Sequence, residues 1–326
     1  MRPSLFVLAV ILALPLQGRA AYPERPITLI VPFAAGGPTD VVARIVGENM
    51  SRTLGQQVVV ENVVGAGGTI ASTKAAQATP DGYTLIMGHM GTHGAAPAVY
   101  PDLKYDPAKS FAPIGMAAGT PILIVAKKSF PAKDLREFVA YLKKNSEKLN
   151  EAHAGVGSVS FTTCAFFNSL IGAKPTRVVY RGTGPALNDL VSGQVDYMCD
   201  QIVNLVPQIQ AGTIKAYGVA LPQRSPALPD VPTTKEGGLP EFQVSAWNAI
   251  FAPKGTPPEI VKKLSDALTK ALADENTRKR LLDLGADLSD KAAQTPEGLA
   301  KLVDSEVARW KKVLASVSKD AAPPAK

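Results

Sequence analysis

The sequence predicts an α/β protein whose sheets are mostly parallel and flanked by helices. Three observations carry that reading. Short β-branched, apolar runs alternate almost throughout with single helical stretches, the spacing of βαβ units. Glycine-rich turns stand where several of those strands hand over to helices. The alternation restarts past residue 121, in a chain of 326 residues that suits two domains of about 100–150 residues each.

The elements follow in order. Ile27–Pro32 is an apolar strand; the turn Ala34–Gly37 leads into a helix from Pro38 to about Leu54. Val58–Glu61 is the next strand, followed by Gly65–Gly68 and a helix through about Gln77. Thr84–Gly88 is a third strand, running into the glycine-rich segment Gly88–Gly94. In the second unit Ile114–Val125 is extended, and Leu135, Phe138, Val139 and Leu142 recur at the i, i+3, i+4, i+7 spacing of a helix. Strands are expected at Ala152–Gly155, Arg177–Tyr180, Gln194–Cys199 and Ile214–Ala220, with helices at about Thr162–Ile171, Pro185–Ser192 and Val206–Ala211. Pro222–Pro240 reads as irregular surface chain and Trp247–Pro253 as extended. Two amphipathic helices follow, one from Pro257–Pro258 with Ile260, Leu264 and Leu268 on one face. The other starts at Thr295-Pro296-Glu297, with Thr295 as cap and Pro296 at the first position. Ala321–Lys326 reads as a disordered tail. A C-terminal helical segment after two α/β units implies a chain that leaves domain 1, builds domain 2 and returns. That places domain 1 at 21–121 and 222–326, and domain 2 at 122–221.

Composition narrows the function. A hydrophobic content of 46% against 19% charged residues supplies real cores. The 35 Lys+Arg and 28 Asp+Glu are scattered without a run of like charge, which argues against a nucleic-acid surface. Arg2, the apolar run Leu5–Leu16, and Gly18 and Ala20 at positions −3 and −1 form an expected signal peptide, residues 1–20, directing export to the periplasm. No cysteine stands near that cleavage point to take a lipid. The two cysteines, Cys164 and Cys199, permit one disulfide without requiring it. A doubly wound unit can make the strand ending at Cys199 a neighbour of the strand before the Cys164 helix.

Several turns could carry chemistry. In Phe33-Ala34-Ala35-Gly36-Gly37-Pro38-Thr39 a strand ends and a helix begins, so backbone N–H groups and the helix dipole favour an anion there. Gly36 and Gly37 would let a ligand approach the backbone. No Lys-Ser/Thr pair follows, so this is not a nucleotide P-loop. Gly65, Gly67 and Gly68 repeat the device at the next strand-to-helix junction, and open α/β sheets bind ligands at this edge. The alternative for either turn is an ordinary glycine corner. His89 and His93 have the spacing of a helical metal pair, but Gly88, Gly91 and Gly94 argue against a helix. His93, with Thr92, is therefore read as a loop hydrogen-bonding residue, and no metal or cofactor is expected. His153 reads as structural. Gly155–Ser160 is not a G-x-S-x-G nucleophile elbow, because Ser160 stands where the second glycine would be. Ser158 and Ser160 can cap a helix or meet a ligand. Arg181–Pro185, with Thr183, opens another helix, and Asp200 follows a strand at the same edge, where a plain capping role is the alternative.

The chain resembles the Bug (TctC-like) family of periplasmic receptors of tripartite tricarboxylate transporters. The likeness runs through Tyr22-Pro23, Val31–Asp40, Glu61-Asn62, Gly65–Gly68 and Asp81-Gly82-Tyr83. It continues in Tyr180-Arg181-Gly182, Gly193-Gln194-Val195-Asp196, Pro229–Thr233, Trp247 and Pro253–Pro257, covering nearly all of the chain after residue 20. The resemblance implies a two-lobed, type II periplasmic-binding-protein fold closing over a small carboxylate. The carboxylate would be held at Phe33–Thr39 and Gly65–Gly68, with further contacts from Ser158, Ser160, Thr183 and Asp200. It also implies membrane permease subunits as partners, for a receptor that is monomeric. A ligand-sensing subunit docking on a membrane kinase is the runner-up reading. A periplasmic enzyme ranks last, for want of a nucleophile–base signature, a metal set or a carboxylate pair. The family often has His where this chain has Phe161, which makes that wall more apolar.

Overall fold

The computed structural model describes residues 22–321; the expected signal peptide and the tail beyond residue 321 lie outside them. Nine strands form one continuous curled sheet in the order β2-β1-β3-β9-β4-β7-β5-β6, with β8 also paired to β4. Its first part holds β1 (Ile27–Val31), β2 (Val58–Asn62) and β3 (Thr84–His89), with α1 (Pro38–Leu54) and α2 (Thr69–Ala76) as crossovers. β1 pairs in parallel with both β2 and β3. The second part holds β5 (Asn150–His153), β6 (Thr176–Val179), β7 (Tyr197–Gln201) and β8 (Ile214–Val219), with α4 (Leu135–Asn145), α5 (Val159–Ile171), α6 (Thr183–Ser192) and α7 (Ile202–Gln210).

Two long antiparallel strands join these parts. β4 (Phe111–Lys127) pairs with β9 (Ser245–Pro253) over Phe111–Pro121, then with β7 and β8 from Ile122 onward. The sheet is parallel within each part, as expected, and antiparallel through its centre, where β4 and β9 run. Residues 222–244 stay with the second part: Val219 N–H donates to Pro232 O, Thr234 N–H to Val219 O, and Val244 N–H to Ala220 O. Phe242 is fully buried there against Phe166 and Phe167. α8 (Pro258–Ala273), α9 (Glu275–Asp283) and α10 (Pro296–Ala321) complete the chain.

The core follows the pleat. Leu29, Leu85, Met87, Leu123 and Val125 point to one face of the sheet, while Ile30, Ile86, Ile122 and Ile124 point to the other. All are 0% exposed. Each is worth roughly 1.5–3 kcal/mol of hydrophobic stabilisation, and together they hold the strand ends in register.

Some boundaries differ from expectation for identifiable reasons. Gln194 and Val195 close α6 by donating to Asp189 O, so β7 starts at Tyr197. Gly155 has φ +102° and its carbonyl accepts from Ser158 N–H, so β5 ends at His153 rather than continuing to Gly155. Pro207 stands inside α7 instead of near its start. α9, capped by Asp274, buries only Thr277 and Leu281 and so lacks a readable apolar period. The segment after His89 is helical after all: a wide turn at Gly91–Ala95 continues into α3 (Ala96–Val99). Its glycines serve close packing. A Cβ on Gly91 would lie 2.6 Å from Gly157 O, and one on Gly94 would lie 3.3 Å from Glu306 Cβ.

Candidate ligand-binding cleft

The strand ends of the two parts converge on one narrow, half-open cleft, pinched to a free volume of about 10 Å³, room for about one water. From the first part come Phe33, Gly37, Pro38, Thr39 and His89. From the second come Ala154, Ser158, Val159, Ser160, Thr183, Asp200 and Gln201. None of these is Lys or Arg.

The first wall is held by Asp40 in the opening turn of α1. Its carboxylate accepts from Gly36 N–H (3.1 Å), Arg44 Nε and Nη2 (2.9 Å each) and Asn62 Nδ2 (2.9 Å). Burial alone would raise its pKa, but these bonds outweigh it and hold the carboxyl below its ordinary value. Gly37 caps α1 in an extended conformation, and Val41 N–H is already bonded to Gly37 O, so that amide does not point outward. Phe33 stacks on the His89 ring at 4.9 Å. His89 Nδ1 accepts from Gly91 N–H (2.8 Å) and Thr92 N–H (3.1 Å), so its hydrogen sits on Nε2. Burial lowers its pKa to about 4, leaving a neutral ring on the cavity wall.

The second wall is made of side chains. Ser158 caps α5, its Oγ accepting from Phe161 N–H (3.2 Å) and lying 3.3 Å from Ser160 Oγ. Ser160 Oγ accepts from Ala154 N–H at 3.0 Å. Both oxygens thus already serve backbone donors, and between them a hydroxyl hydrogen is left for the cavity. Cys164 and Cys199 are joined in a disulfide, with Cα atoms 5.2 Å apart. It ties α5 to the end of β7, next to Asp200. Gln201 Oε1 accepts from Thr120 Oγ1 (2.7 Å) and Asn248 Nδ2 (2.8 Å), linking the cavity floor to both long strands.

Of the residues singled out in the sequence, Phe33, Gly37, Thr39, Ser158, Ser160, Thr183 and Asp200 line this one cleft. The other expected residues do not line it. Ala34 N–H donates to Arg181 O (3.0 Å), and a Cβ on Gly184 would lie 2.5 Å from Ala35 O. Ala34 and Ala35 thus meet the opposite lip, and Gly36 serves Asp40. Gly67 faces Val156 O, which a Cβ there would approach to 1.8 Å. Gly65 packs on Ile70, and Gly68 on Thr92 and Phe33. Thr92 bonds the His93 ring, which stacks on Phe251 at 4.2 Å in the core behind the wall. Burial, with His89 nearby, lowers the His93 pKa to about 3. Pro38, His89, Ala154, Val159 and Gln201 were missed. His89 ends β3 at the edge where open sheets bind ligands, a signal that could have found it. Among the described residues, no group of three or more His, Cys, Asp or Glu could hold a metal, and no helix is long and apolar enough to cross a membrane.

Comparison with known proteins places this cleft in a family. The sequence profile of the tripartite tricarboxylate transporter family receptors matches residues 42–318. A UPF0065 protein of Agrobacterium vitis is 42% identical over 97% of this chain and 91% of its own length. The structure of MatC from Rhodopseudomonas palustris with bound malate is 52% identical and superposes with a TM-score of 0.87, over 90% of this chain and 100% of that one. An R. palustris protein with adipate is 33% identical, with a TM-score of 0.86 over 91% and 98% of the two chains. This chain belongs to the tripartite tricarboxylate transporter receptor family and has the α/β architecture of its periplasmic binding proteins.

Proposed function

We propose that the protein is an exported receptor that closes two lobes over a small aliphatic carboxylate and delivers it to the membrane permease subunits of a tripartite transporter. It binds without catalysing a reaction. One observation carries the reading: a narrow cleft in which the start of α1 faces Ser158, Ser160, Thr183 and Asp200. The start of a helix favours an anion, and the opposing hydroxyls and carboxylate give its far end an identity. The malate and adipate held by two relatives point to a dicarboxylate of that size range. Among the described residues, we take 22–121 with 245–321 as one lobe and 122–244 as the other. The hydrogen bonds of residues 222–244 to the second part favour a return crossing at Val244–Ser245 over one near 221. Cys164–Cys199 suits an oxidising compartment.

A thermal-shift series with malate, succinate, adipate and the neutral diamide of succinic acid tests this reading. At least one acid should raise the melting temperature, since a ligand at a hundred times its Kd stabilises by about 2.7 kcal/mol. The diamide should not. A chain that responds to none of the acids, or equally to the diamide, is not a carboxylate receptor.

A further inference from the structure

The carboxyl of Asp200 is fully buried on the cavity wall and only half satisfied. Oδ2 accepts from Asn204 Nδ2 at 3.1 Å, while among the described residues no donor lies within hydrogen-bond distance of Oδ1, the Thr183 hydroxyl and Gln201 N–H reaching the carboxyl only weakly. Asn204 cannot help, because its own free atom is the oxygen Oδ1, a second acceptor. An acceptor buried this way needs a donor, and a site of this kind costs stability until one arrives. The groups facing it are Thr183 from α6, Asn204 from α7, Leu123 from the paired strand β4, and His89 across the cavity. The first three carry no charge, and the His89 ring is neutral.

Resting on the carboxylate reading above, we propose that a dicarboxylate is held with one proton shared between its far carboxylate and Asp200. Two ionised carboxylates cannot sit together in a buried site that offers no cation. An O–H···O⁻ bond between them satisfies Asp200 Oδ1 and removes one of the two charges. The protein leans this way before any ligand arrives. Burial raises the Asp200 pKa to about 6, against the weaker opposing effects of the Gln201 backbone and the Thr183 and Asn204 side chains. The proton balance is simple. Near neutral pH the free ligand is a dianion and Asp200 is mostly ionised, so each binding event takes about one proton from the buffer.

The test is calorimetric titration with L-malate and succinate near neutral pH, in buffers of different ionisation enthalpy, which reads proton uptake directly. Wild type should take up about one proton per ligand, and its affinity should fall about tenfold per pH unit above neutrality. Asp200→Asn, checked for folding by circular dichroism, should bind with no uptake and no pH slope. His89→Gln should keep the uptake even with weakened binding. Wild-type binding without uptake overturns the inference while leaving carboxylate binding intact. So does uptake that survives in Asp200→Asn and disappears in His89→Gln, since the proton would then ride on the imidazole. A wild type that responds to adipate alone is titrated with adipate in the same way; one that binds none of the three acids fails the thermal-shift series as well, and the inference falls with the reading it rests on.

Discussion

The two walls of the cleft are built from different materials. The first is mainly backbone: strand-to-helix turns rich in glycine, pinned from behind by Asp40, with a neutral His89 as its one titratable side chain on the cavity. The second presents side chains, Ser158, Ser160, Thr183 and Asp200, fixed by helix caps and the Cys164–Cys199 bond. A backbone wall fits any ligand that brings a carboxylate. A side-chain wall distinguishes what the other end of the ligand carries. The difference also assigns the glycines a role other than the obvious one. Gly67 and Gly37 of the first wall lie against Val156 O and Thr183 of the second, and Gly182 and Gly184 lie against Ala34 and Ala35. These glycines let the lips meet, and the narrowness of the cleft is the consequence.

The sharpest way to break that comparison is Gly67→Val. Gly67 has φ +60°, in the left-handed region, and any Cβ would sit 1.8 Å from Val156 O. The substitution should block closure and weaken binding of a responsive carboxylate by at least about a hundredfold, roughly 2.7 kcal/mol. Gly37→Val should cost less, about tenfold, because its φ of −82° suits any residue and its Cβ would stand 3.3 Å from Thr183 Oγ1. Calorimetry on both variants, after circular dichroism shows that they fold, reads the contrast. Equal affinities for Gly67→Val and wild type would mean that the lips do not meet at this point in the bound state.

What was legible in the sequence divides along the same line. The strands β1, β3, β4, β8 and β9 show as apolar runs because buried strands must be apolar, and the turns after β1, β2 and β3 show as glycine. Ser158, Ser160 and Thr183 could be picked out because each follows a strand, and Asp200 because it stands near a strand's end, at the edge where open sheets bind ligands. The purpose of Gly67 was not legible: a glycine that meets a ligand and one that meets another backbone look alike until the opposing residue, 89 positions later at Val156, is in place. The helix at Met90–Val99 was hidden for a related reason. Glycines there read as helix breakers, whereas Gly91 and Gly94 are small because Gly157 O and Glu306 press on them. His89 was given no role and His93 was expected in the site, because the rings that place them, Phe33 after β1 and Phe251 on β9, are far away in the chain.

The second wall carries a stability cost that the first does not. Asp200 binds a proton more tightly in the folded protein, where its pKa is about 6, than in the unfolded chain, where it has the ordinary value of 3.8. Its favourable contribution is therefore fully present below pH 3.8 and is lost as pH rises through about 6. In the absence of ligand, Asp200→Asn should be more stable than wild type at neutral pH by about 1–3 kcal/mol. Its amide can also donate to the free Asn204 Oδ1. The advantage should vanish as the pH falls to about 4, where wild-type Asp200 is protonated in the fold. Paired denaturant titrations across that range measure it. A wild type more stable than the variant at neutral pH would show that Asp200 is satisfied without a ligand.

The smallest effect lies outside the cavity, where the two walls share one side-chain bond. Tyr100, next after α3, donates its hydroxyl to Val156 O at 2.7 Å. Val156 O is the same carbonyl that Gly67 approaches, so the bond and the glycine contact belong to one lip. Tyr100→Phe removes a single hydrogen bond and keeps the ring, which also lies near Gly157. An ordinary hydrogen bond contributes about 0.5–1.5 kcal/mol, so affinity should fall about 2- to 12-fold. The rate constants show how the loss arises. If the bond forms only when the lips close, the loss appears as faster ligand release, with the association rate nearly unchanged, because Tyr100 does not line the cavity. Stopped-flow measurement with a tight carboxylate separates the two rates. A loss confined to association would mean that Tyr100 guides the ligand inward instead of holding the lips together, and the first wall would then include a side chain that acts before closure.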